Sequence, residues 1–153
     1  MTEAPKIMVA EARFYPDIAD ALAGGAFAAL DAAGAVYERF QVPGVFEIPA
    51  AIRMAVRASD AGRRRFDGYL ALGCVIRGET SHYDYVCQES ARALQDLACR
   101  FALALGYGIL TVENADQAWA RARADGKDRG GHAARACLAM LALRRRFDPS
   151  GGL

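Results

Sequence analysis

A buried apolar segment that leads through a short polar turn into a helix is the feature that most constrains this chain. Residues 69–76, YLALGCVI, form a nearly unbroken apolar run of the kind found in strands covered on both faces. The polar turn RGETS follows at residues 77–81, and helical spacing then begins. Ser81 and Asp84 have the spacing of a capping box, which places the helix start at or just after Ser81.

A helix that begins at such a turn presents free backbone N–H groups and the positive end of its dipole at one point. That arrangement suits an anion, above all a phosphate. His82, one of two histidines in the chain, lies on the first turn of this predicted helix. It could simply be a capping residue, but a titratable group beside an anion cradle favours a role in moving protons.

Length and composition indicate a single globular domain over residues 1–153, with about residues 1–5 and 148–153 loose. The net charge of +1 gives no reason to expect nucleic acid or a membrane surface as a partner. No apolar run approaches the ~20 residues of a membrane helix. The N-terminal sequence MTEAPK lacks the pattern of a signal peptide, so we expect a cytoplasmic protein.

The motifs that the chain lacks argue against several classes of site. There is no P-loop, no dinucleotide fingerprint after the first strand and no nucleophilic serine elbow. Two distant histidines and no acidic cluster argue against a metal site. The cysteines stand in apolar segments without a C-x-x-C pair, and we interpret all four as buried small hydrophobic residues: Cys74, Cys87, Cys99 and Cys137.

The whole chain alternates between strand and helix patterns. Strands are predicted at residues 7–12, 36–42, 69–76 and 106–112, and helices at 18–33, 50 to about 61, 81 to about 105, after 113–114, and 133–147. A charged, glycine-bearing turn is expected at residues 127–131. This order predicts a three-layer α/β/α sandwich of flavodoxin-like type around a four-stranded parallel sheet.

Ligands of such sheets bind beyond the carboxyl ends of the strands, where the strand order reverses. The loops expected there are residues 14–15, 43–47 and 77–82. Phe14 could be a lid over the core, and Glu47 could be a partner of a helix dipole. Their expected meeting with His82 at one edge of the sheet favours a functional site. His132, near the start of the last helix, is interpreted as a surface or interface residue.

Three motifs resemble those of a known family, the lumazine synthases. They are VPGVFEIP at residues 42–49, GCVIRGETSHYDYV at 73–86, and GILTVEN at 108–114 with Gln117 and Ala118 after it. The resemblance covers nearly the whole chain. It implies an enzyme of riboflavin biosynthesis, a transferase that condenses 5-amino-6-(D-ribitylamino)uracil with 3,4-dihydroxy-2-butanone 4-phosphate. Phosphate and water are released, and no cofactor takes part.

The resemblance also implies roles for individual residues. Phe14 and Tyr107 would stack on the pyrimidine, and Glu47 would accept hydrogen bonds from ribityl hydroxyls. His82 would be the proton shuttle, and Arg121 would bind phosphate. The full implied set of substrate-binding residues is Phe14, Val45, Phe46, Glu47, Cys74, Val75, Ile76, Glu79, Thr80, Tyr107 and Arg121, with residues 74–76 offering backbone groups and residues 79–80 holding the phosphate.

The chain departs from the family pattern at three places. Tyr15 stands where several members have Asn, and Arg129 stands where Lys is common. Residues 125–130 read DGKDRG, whereas shell-forming members have KAGNKG. The family builds pentamers, some of which assemble into sixty-subunit shells. The altered turn favours the free pentamer here.

Geometry gives a separate reason to expect an oligomer. His82 follows the carboxyl end of its strand, whereas Tyr107 begins the next parallel strand, at the opposite pole of the sheet. A strand of six or seven residues spans roughly 20 Å. If both residues line one site, Tyr107 must come from a neighbouring chain, and a closed ring satisfies this requirement.

Two other readings remain open at this point. A non-catalytic relative that binds a flavin or a ribityl ligand could keep the pocket and lack turnover, although the intact His82, Thr80 and Arg121 argue against it. A purely structural shell component would leave the pocket residues unexplained.

Overall fold

The computed structural model describes residues 3–63 and 65–149, and within them the chain forms a three-layer α/β/α sandwich. The strands are β1 Lys6–Ala12, β2 Val36–Val42, β3 Gly68–Ile76 and β4 Leu105–Val112. The helices are α1 Pro16–Ala32, α2 Ile48–Asp60, α3 His82–Phe101, α4 Ala115–Ala122 and α5 Arg129–Phe147, and a short 3₁₀ turn, Val45–Glu47, precedes α2. The expected loose ends at residues 1–5 and 148–153 lie partly outside the described residues.

All strand pairs in this part of the chain are parallel, in the order β2-β1-β3-β4, which confirms the predicted fold class. β1 sends Ile7 and Val9 into the core beneath α1, α4 and α5, and sends Met8 and Ala10 into the core beneath α2 and α3. Because both faces are covered, the central strands have continuous apolar sequences. Each fully buried Leu or Ile in these cores contributes roughly 1.5–3 kcal/mol.

The start of α3 is predicted correctly, but its cap is not the expected capping box. Ser81 precedes the helix and its side chain makes no capping hydrogen bond. Instead the hydroxyl of Thr80 accepts a hydrogen bond from the backbone N–H of His82 at 3.3 Å. The threonine one residue earlier satisfies one of the orphan donors that every helix start leaves.

Two other helix boundaries differ from the prediction. α3 ends at Phe101 rather than near residue 105, because Ala102 adopts a left-handed conformation (φ 51°) and its N–H donates to the carbonyl of Ala98. This is a helix-ending geometry usually signalled by glycine, and an alanine hides it. α2 begins at Ile48 rather than residue 50, with Pro49 in its first turn.

α5 begins at Arg129, four residues before the predicted start, and the expected turn at 127–131 is therefore partly helical. Asp128 caps this helix, with φ 46° and a carboxylate that accepts from the N–H of Gly131 at 3.2 Å. A Cβ on Gly130 would lie 2.0 Å from the carbonyl oxygen of Leu22 in α1. The glycines that suggested a turn instead allow α1 and α5 to pack closely.

The interpretation of the cysteines is right for two of them and wrong for the others. Cys74 and Cys137 are buried, whereas Cys87 is half-buried at the edge of the buried face of α3 and Cys99 is exposed on its outer side. All four are free thiols. Across residues 3–63 and 65–149 there is no helix with the length and hydrophobicity needed to cross a membrane.

The close contact between α1 and α5 gives a stability prediction. Gly130→Ala should lower the free energy of unfolding by about 1–3 kcal/mol, because the added methyl group would overlap backbone atoms of α1. Gly24→Ala is the matched control, since Gly24 is an exposed residue of α1 with no atom within 4 Å of an added Cβ. The control should gain roughly 0.5–1 kcal/mol from better helix propensity.

Thermal unfolding followed by circular dichroism, at equal protein concentrations, measures both changes. A Gly130→Ala protein as stable as the wild type would contradict the proposed packing constraint.

Candidate active site

Three loops meet at the carboxyl end of the sheet and enclose a cleft of about 440 Å³. The cleft lies beyond β1 and β3, the two strands whose outgoing connections run to opposite sides of the sheet. This is the switch point at which parallel sheets bind ligands. Its lining residues are Ala12, Phe14, Tyr15, Gly44, Val45, Phe46, Glu47, Cys74, Val75, Ile76, His82 and Val86.

The loop after β1 offers an aromatic surface to the cleft. Phe14 is 76% exposed and therefore does not act as a lid over the core. Its ring meets the Tyr15 ring edge to face, with centroids 4.9 Å apart, and Tyr15 packs against the buried cluster beneath α1. The supported and exposed face of Phe14 suits a planar ligand.

The 3₁₀ turn forms the second wall. Val45 is buried, and its side chain fits because the neighbouring strand residue is Gly73, where a Cβ would lie 2.7 Å from the Val45 methyl group. Phe46 remains 60% exposed. Glu47 stands just before α2 but makes no side-chain capping bond, and its carboxylate has no hydrogen bond or ion pair within residues 3–63 and 65–149. It is therefore available to hydrogen-bond donors of a ligand.

The end of β3 supplies the floor. β3 pairs with β1 only as far as Leu72, whereas its pairing with β4 continues to Ile76. On the β1 side, the backbone groups that residues 73–76 direct away from β4 therefore have no strand partner and face the cleft. Burial raises the pKa of the Cys74 thiol to about 11, so this side chain stays protonated at neutral pH and acts as a small apolar group.

The β3–α3 turn, residues 77–81, borders the cleft on its fourth side. Residues 77–82 are all exposed, and His82 at the start of α3 lines the cleft. Glu79 and Thr80 lie on the turn beside the cleft but are not among its lining residues. The N-terminus of a twenty-residue helix thus stands next to the histidine, as an anion site requires.

Tyr107 and Arg121 do not join this cleft. They line a separate recess of about 300 Å³ along the exposed edge of β4, together with Gly108, Ile109, Leu110, Thr111, Arg129 and His132. Arg121 donates to the carbonyl oxygen of Gln117 at 3.1 Å. Burial raises the pKa of Tyr107, whose side chain is 41% exposed. Among the described residues, no carboxylate lines this basic recess, which therefore suits an anion.

The sequence analysis missed several lining residues. Arg129 and His132 were not assigned to the site, because the predicted start of α5 at residue 133 hid their i, i+3 spacing on its first turn. Val86 lies one helical turn after His82, a spacing that could have identified it. Ala12 carries no such signal, because it lines the cleft only as the last residue of β1. Gly44 lies in the loop of residues 43–47 that the sequence analysis expected at the site, although it was not singled out.

A third recess, of about 510 Å³, lies near the amino end of β3, away from both sites. It contains none of the predicted site residues. The guanidinium of Arg144, on its wall, donates to the carbonyl oxygens of Ala102 at 3.1 Å and Asp67 at 2.6 Å. This arginine joins the end of α3 to the start of β3, which is a structural role.

A family model described as 6,7-dimethyl-8-ribityllumazine synthase matches residues 4–145. The chain is 61% identical over 141 residues to 6,7-dimethyl-8-ribityllumazine synthase 1 of Rhizobium meliloti (strain 1021), and the match covers 92% of each chain. It is 56% identical over 143 residues to the 6,7-dimethyl-8-ribityllumazine synthase of Agrobacterium fabrum, covering 94% of this chain and 97% of that one. The corresponding protein of Bartonella tribocorum is 52% identical over 147 residues, covering 96% and 95%. Matches of this extent show that the chain belongs to the 6,7-dimethyl-8-ribityllumazine synthase family.

Proposed function

We propose that this protein makes 6,7-dimethyl-8-ribityllumazine from 5-amino-6-(D-ribitylamino)uracil and 3,4-dihydroxy-2-butanone 4-phosphate, releasing phosphate and water. The observation that carries the proposal is the meeting of Phe14, Glu47 and His82 in one cleft at the switch point of the sheet. An aromatic face suits a pyrimidine ring, and an available carboxylate suits the hydroxyl groups of a polyol chain. A titratable imidazole suits a reaction that transfers protons.

The cleft would hold the pyrimidine first. Its ring would stack on Phe14 and contact Val45 and Phe46. The unpaired backbone groups of residues 74–76 would bond the polar edge of the ring, and Glu47 would accept from ribityl hydroxyls. Because these contacts come from three separate elements of the sheet edge, the reacting 5-amino group would be fixed in one orientation.

The phosphate of the second substrate would lie at the N-terminus of α3. Glu79 would contribute a backbone N–H and Thr80 its hydroxyl group, and the helix dipole adds attraction for the anion. Arg121 would bind the same phosphate by charge-assisted hydrogen bonds. Together these groups would stabilise phosphate as it leaves.

His82 would transfer protons in three successive steps. The 5-amino group attacks the ketone carbonyl and water leaves, which forms a Schiff base. Loss of a proton and of phosphate follows and leaves a carbonyl on the neighbouring carbon. The ribitylamino nitrogen then attacks this carbonyl, and loss of a second water closes the ring. Each step moves protons near neutral pH, the range in which an imidazole titrates. Holding two reactants together supplies further acceleration, worth up to ~7–11 kcal/mol in favourable cases.

We also propose that the complete site forms between subunits of a homopentamer. Tyr107 pairs with Ala71 in β3, five residues before Ile76, so it lies roughly 17 Å from the carboxyl end of the sheet. The basic recess of one subunit would complete the cleft of its neighbour, and head-to-tail contacts of this kind close into a ring. The altered sequence at residues 125–130 supports a free pentamer rather than a shell.

We further propose that the protein works in the cytoplasm. All four cysteines are free thiols, including the exposed Cys99, as is usual in a reducing compartment.

Turnover on the two named substrates, followed by the absorbance of the lumazine product, tests the proposed function directly. Product formation distinguishes the enzyme from a non-catalytic ribityl-ligand binder, which would retain product affinity without turnover. Binding of the ribityl pyrimidine with no product at any substrate concentration would refute the proposal.

His82→Ala should lower kcat by ~10²-fold or less, because general acid–base assistance is lost while the reactants remain in place. KM for both substrates should change little. Steady-state kinetics measure both quantities, with Gln88→Ala, an exposed residue of the same helix, as the control. An unchanged kcat would remove His82 from the catalytic machinery.

Arg121→Ala should raise KM for the butanone phosphate much more than KM for the pyrimidine, because the lost contact is specific to phosphate. Arg92→Ala is a matched control, since Arg92 is an exposed arginine of α3 paired only with Glu89 among the described residues. Equal increases in both KM values would contradict the assignment of Arg121.

Mixing the two impaired variants tests the shared site. Subunits with His82→Ala and subunits with Arg121→Ala should regain part of the activity when they form mixed rings, because some interfaces then combine an intact cleft with an intact recess. Native mass spectrometry verifies the mixing. Verified mixed rings without any recovery would argue against the shared site, whereas a sixty-subunit mass would refute only the choice of the free pentamer.

A further inference from the structure

One arginine beside the cleft makes contacts that none of the roles above explains. Arg77 is the first residue after β3, and its backbone N–H donates to the carbonyl oxygen of Val112 at 2.9 Å. Its side chain has three further contacts. Nε donates to Glu113 Oε2 at 2.7 Å, Nη2 lies 3.3 Å from Asp84 Oδ1, and the guanidinium carbon lies 4.3 Å from the centre of the Tyr83 ring.

These contacts span the β3–α3 turn from one end to the other. The turn begins at Arg77, whereas Tyr83 and Asp84 belong to the first turn of α3. Between these ends the chain has little support, since residues 78–81 are exposed and nothing lies within 4 Å of a Cβ built on Gly78. The side chain of Arg77 therefore links the two ends of the turn through its contacts with Tyr83 and Asp84. We call these contacts, together with that to Glu113, the Arg77 bracket.

The Arg77 bracket also connects the turn to the start of α4, through Glu113. Glu113 stands between β4 and α4, and its backbone N–H donates to Gln117 Oε1 at 2.8 Å. Asn114 caps the same helix by accepting from the N–H of Gln117 at 2.9 Å. The turn is thus connected through Arg77 and Glu113 to the hydrogen-bonded start of α4.

The positive charge of Arg77 is balanced by carboxylates of the protein itself. Two carboxylates, those of Asp84 and Glu113, lie against its guanidinium, and the Tyr83 ring covers one face. A guanidinium whose charge is balanced by two carboxylates, and whose ring-side face is covered, attracts a substrate phosphate less strongly than an unpaired one. Its contribution is therefore to hold the turn rather than to bind the ligand.

We propose that Arg77 is a positioning residue for phosphate binding: it fixes the β3–α3 turn so that the donors of residues 79–82 are preorganised for the phosphate of the second substrate. This inference rests on the proposed function. Donors that are held in place before binding cost less ordering when the anion arrives. The pairs themselves are exposed, with side-chain exposures of 39% for Arg77, 57% for Asp84 and 55% for Glu113. Such pairs add little to overall stability, so binding and stability can be separated by experiment.

The first test compares Arg77→Ala and Arg77→Lys with the Arg92→Ala control. Arg77→Ala should raise KM for the butanone phosphate, and the inhibition constant of inorganic phosphate, about 3- to 30-fold. KM for the pyrimidine should stay within about twofold, and Tm within about 3 °C. Arg77→Lys should restore little of the lost phosphate affinity. A single ammonium group cannot bind two carboxylates in the geometry of a guanidinium, nor stack on the Tyr83 ring.

Two outcomes of this test would overturn the inference. Full recovery in Arg77→Lys would mean that only the positive charge matters. Equal increases in both KM values with a large fall in Tm would mean a general structural role. Glu113→Gln provides a further check, because its effect on the inhibition constant of phosphate should not add to that of Arg77→Ala if the two residues act as one unit.

The second test does not depend on turnover. Amide hydrogen exchange should be faster at residues 78–82 in Arg77→Ala than in the wild type, and inorganic phosphate should slow this exchange less in the variant. An unchanged exchange rate at residues 78–82 in Arg77→Ala would show that Arg77 does not hold the turn. A wild-type protein without turnover would refute the proposed function, and the exchange comparison would still decide whether Arg77 holds the turn.

Discussion

The candidate active site depends on an unequal pairing of the central strand. β3 has β1 beside it only up to Leu72, but it continues to Ile76 with β4 as its sole neighbour. The four residues beyond Leu72 therefore keep their pairing on one side and expose backbone groups on the other. A β1 strand extended alongside residues 73–76 would pair those groups.

This geometry explains why the sequence predicted the cleft better than the recess. The apolar run of β3 and the turn after it identify a strand carboxyl end, and all carboxyl ends of a parallel sheet meet at one edge. Phe14, Glu47 and His82 could therefore be brought together without knowing any contact. No comparable rule predicts the recess, because its residues come from an edge strand and from two helices that follow it. Its members Arg129 and His132 were lost when the start of α5 was placed too late.

The errors at the end of α3 and the start of α5 have related physical causes. Sequence rules assign left-handed residues to glycine, but Ala102 and Asp128 take that conformation here, at φ 51° and 46°. The same rules assign glycines to turns, whereas Gly130 lies inside α5, where its missing side chain lets two helices touch. In both cases tertiary packing sets a local conformation that the propensity of the residue alone opposes. No pattern within the segment itself contains this information.

The cleft and the recess also differ in what they require from the fold. The cleft is lined mainly by apolar and aromatic groups on elements that the core holds rigidly, with Val45 seated against Gly73. The proposed phosphate-binding part would depend instead on an exposed turn and on arginines from other elements, which the core does not fix. Polar links must supply the missing rigidity there, and the contacts of Arg77 with Asp84 and Glu113 are placed to do so. In the proposed site, packing would position the pyrimidine-binding half and hydrogen bonds the phosphate-binding half, so substitutions in the two halves should separate pyrimidine affinity from phosphate affinity.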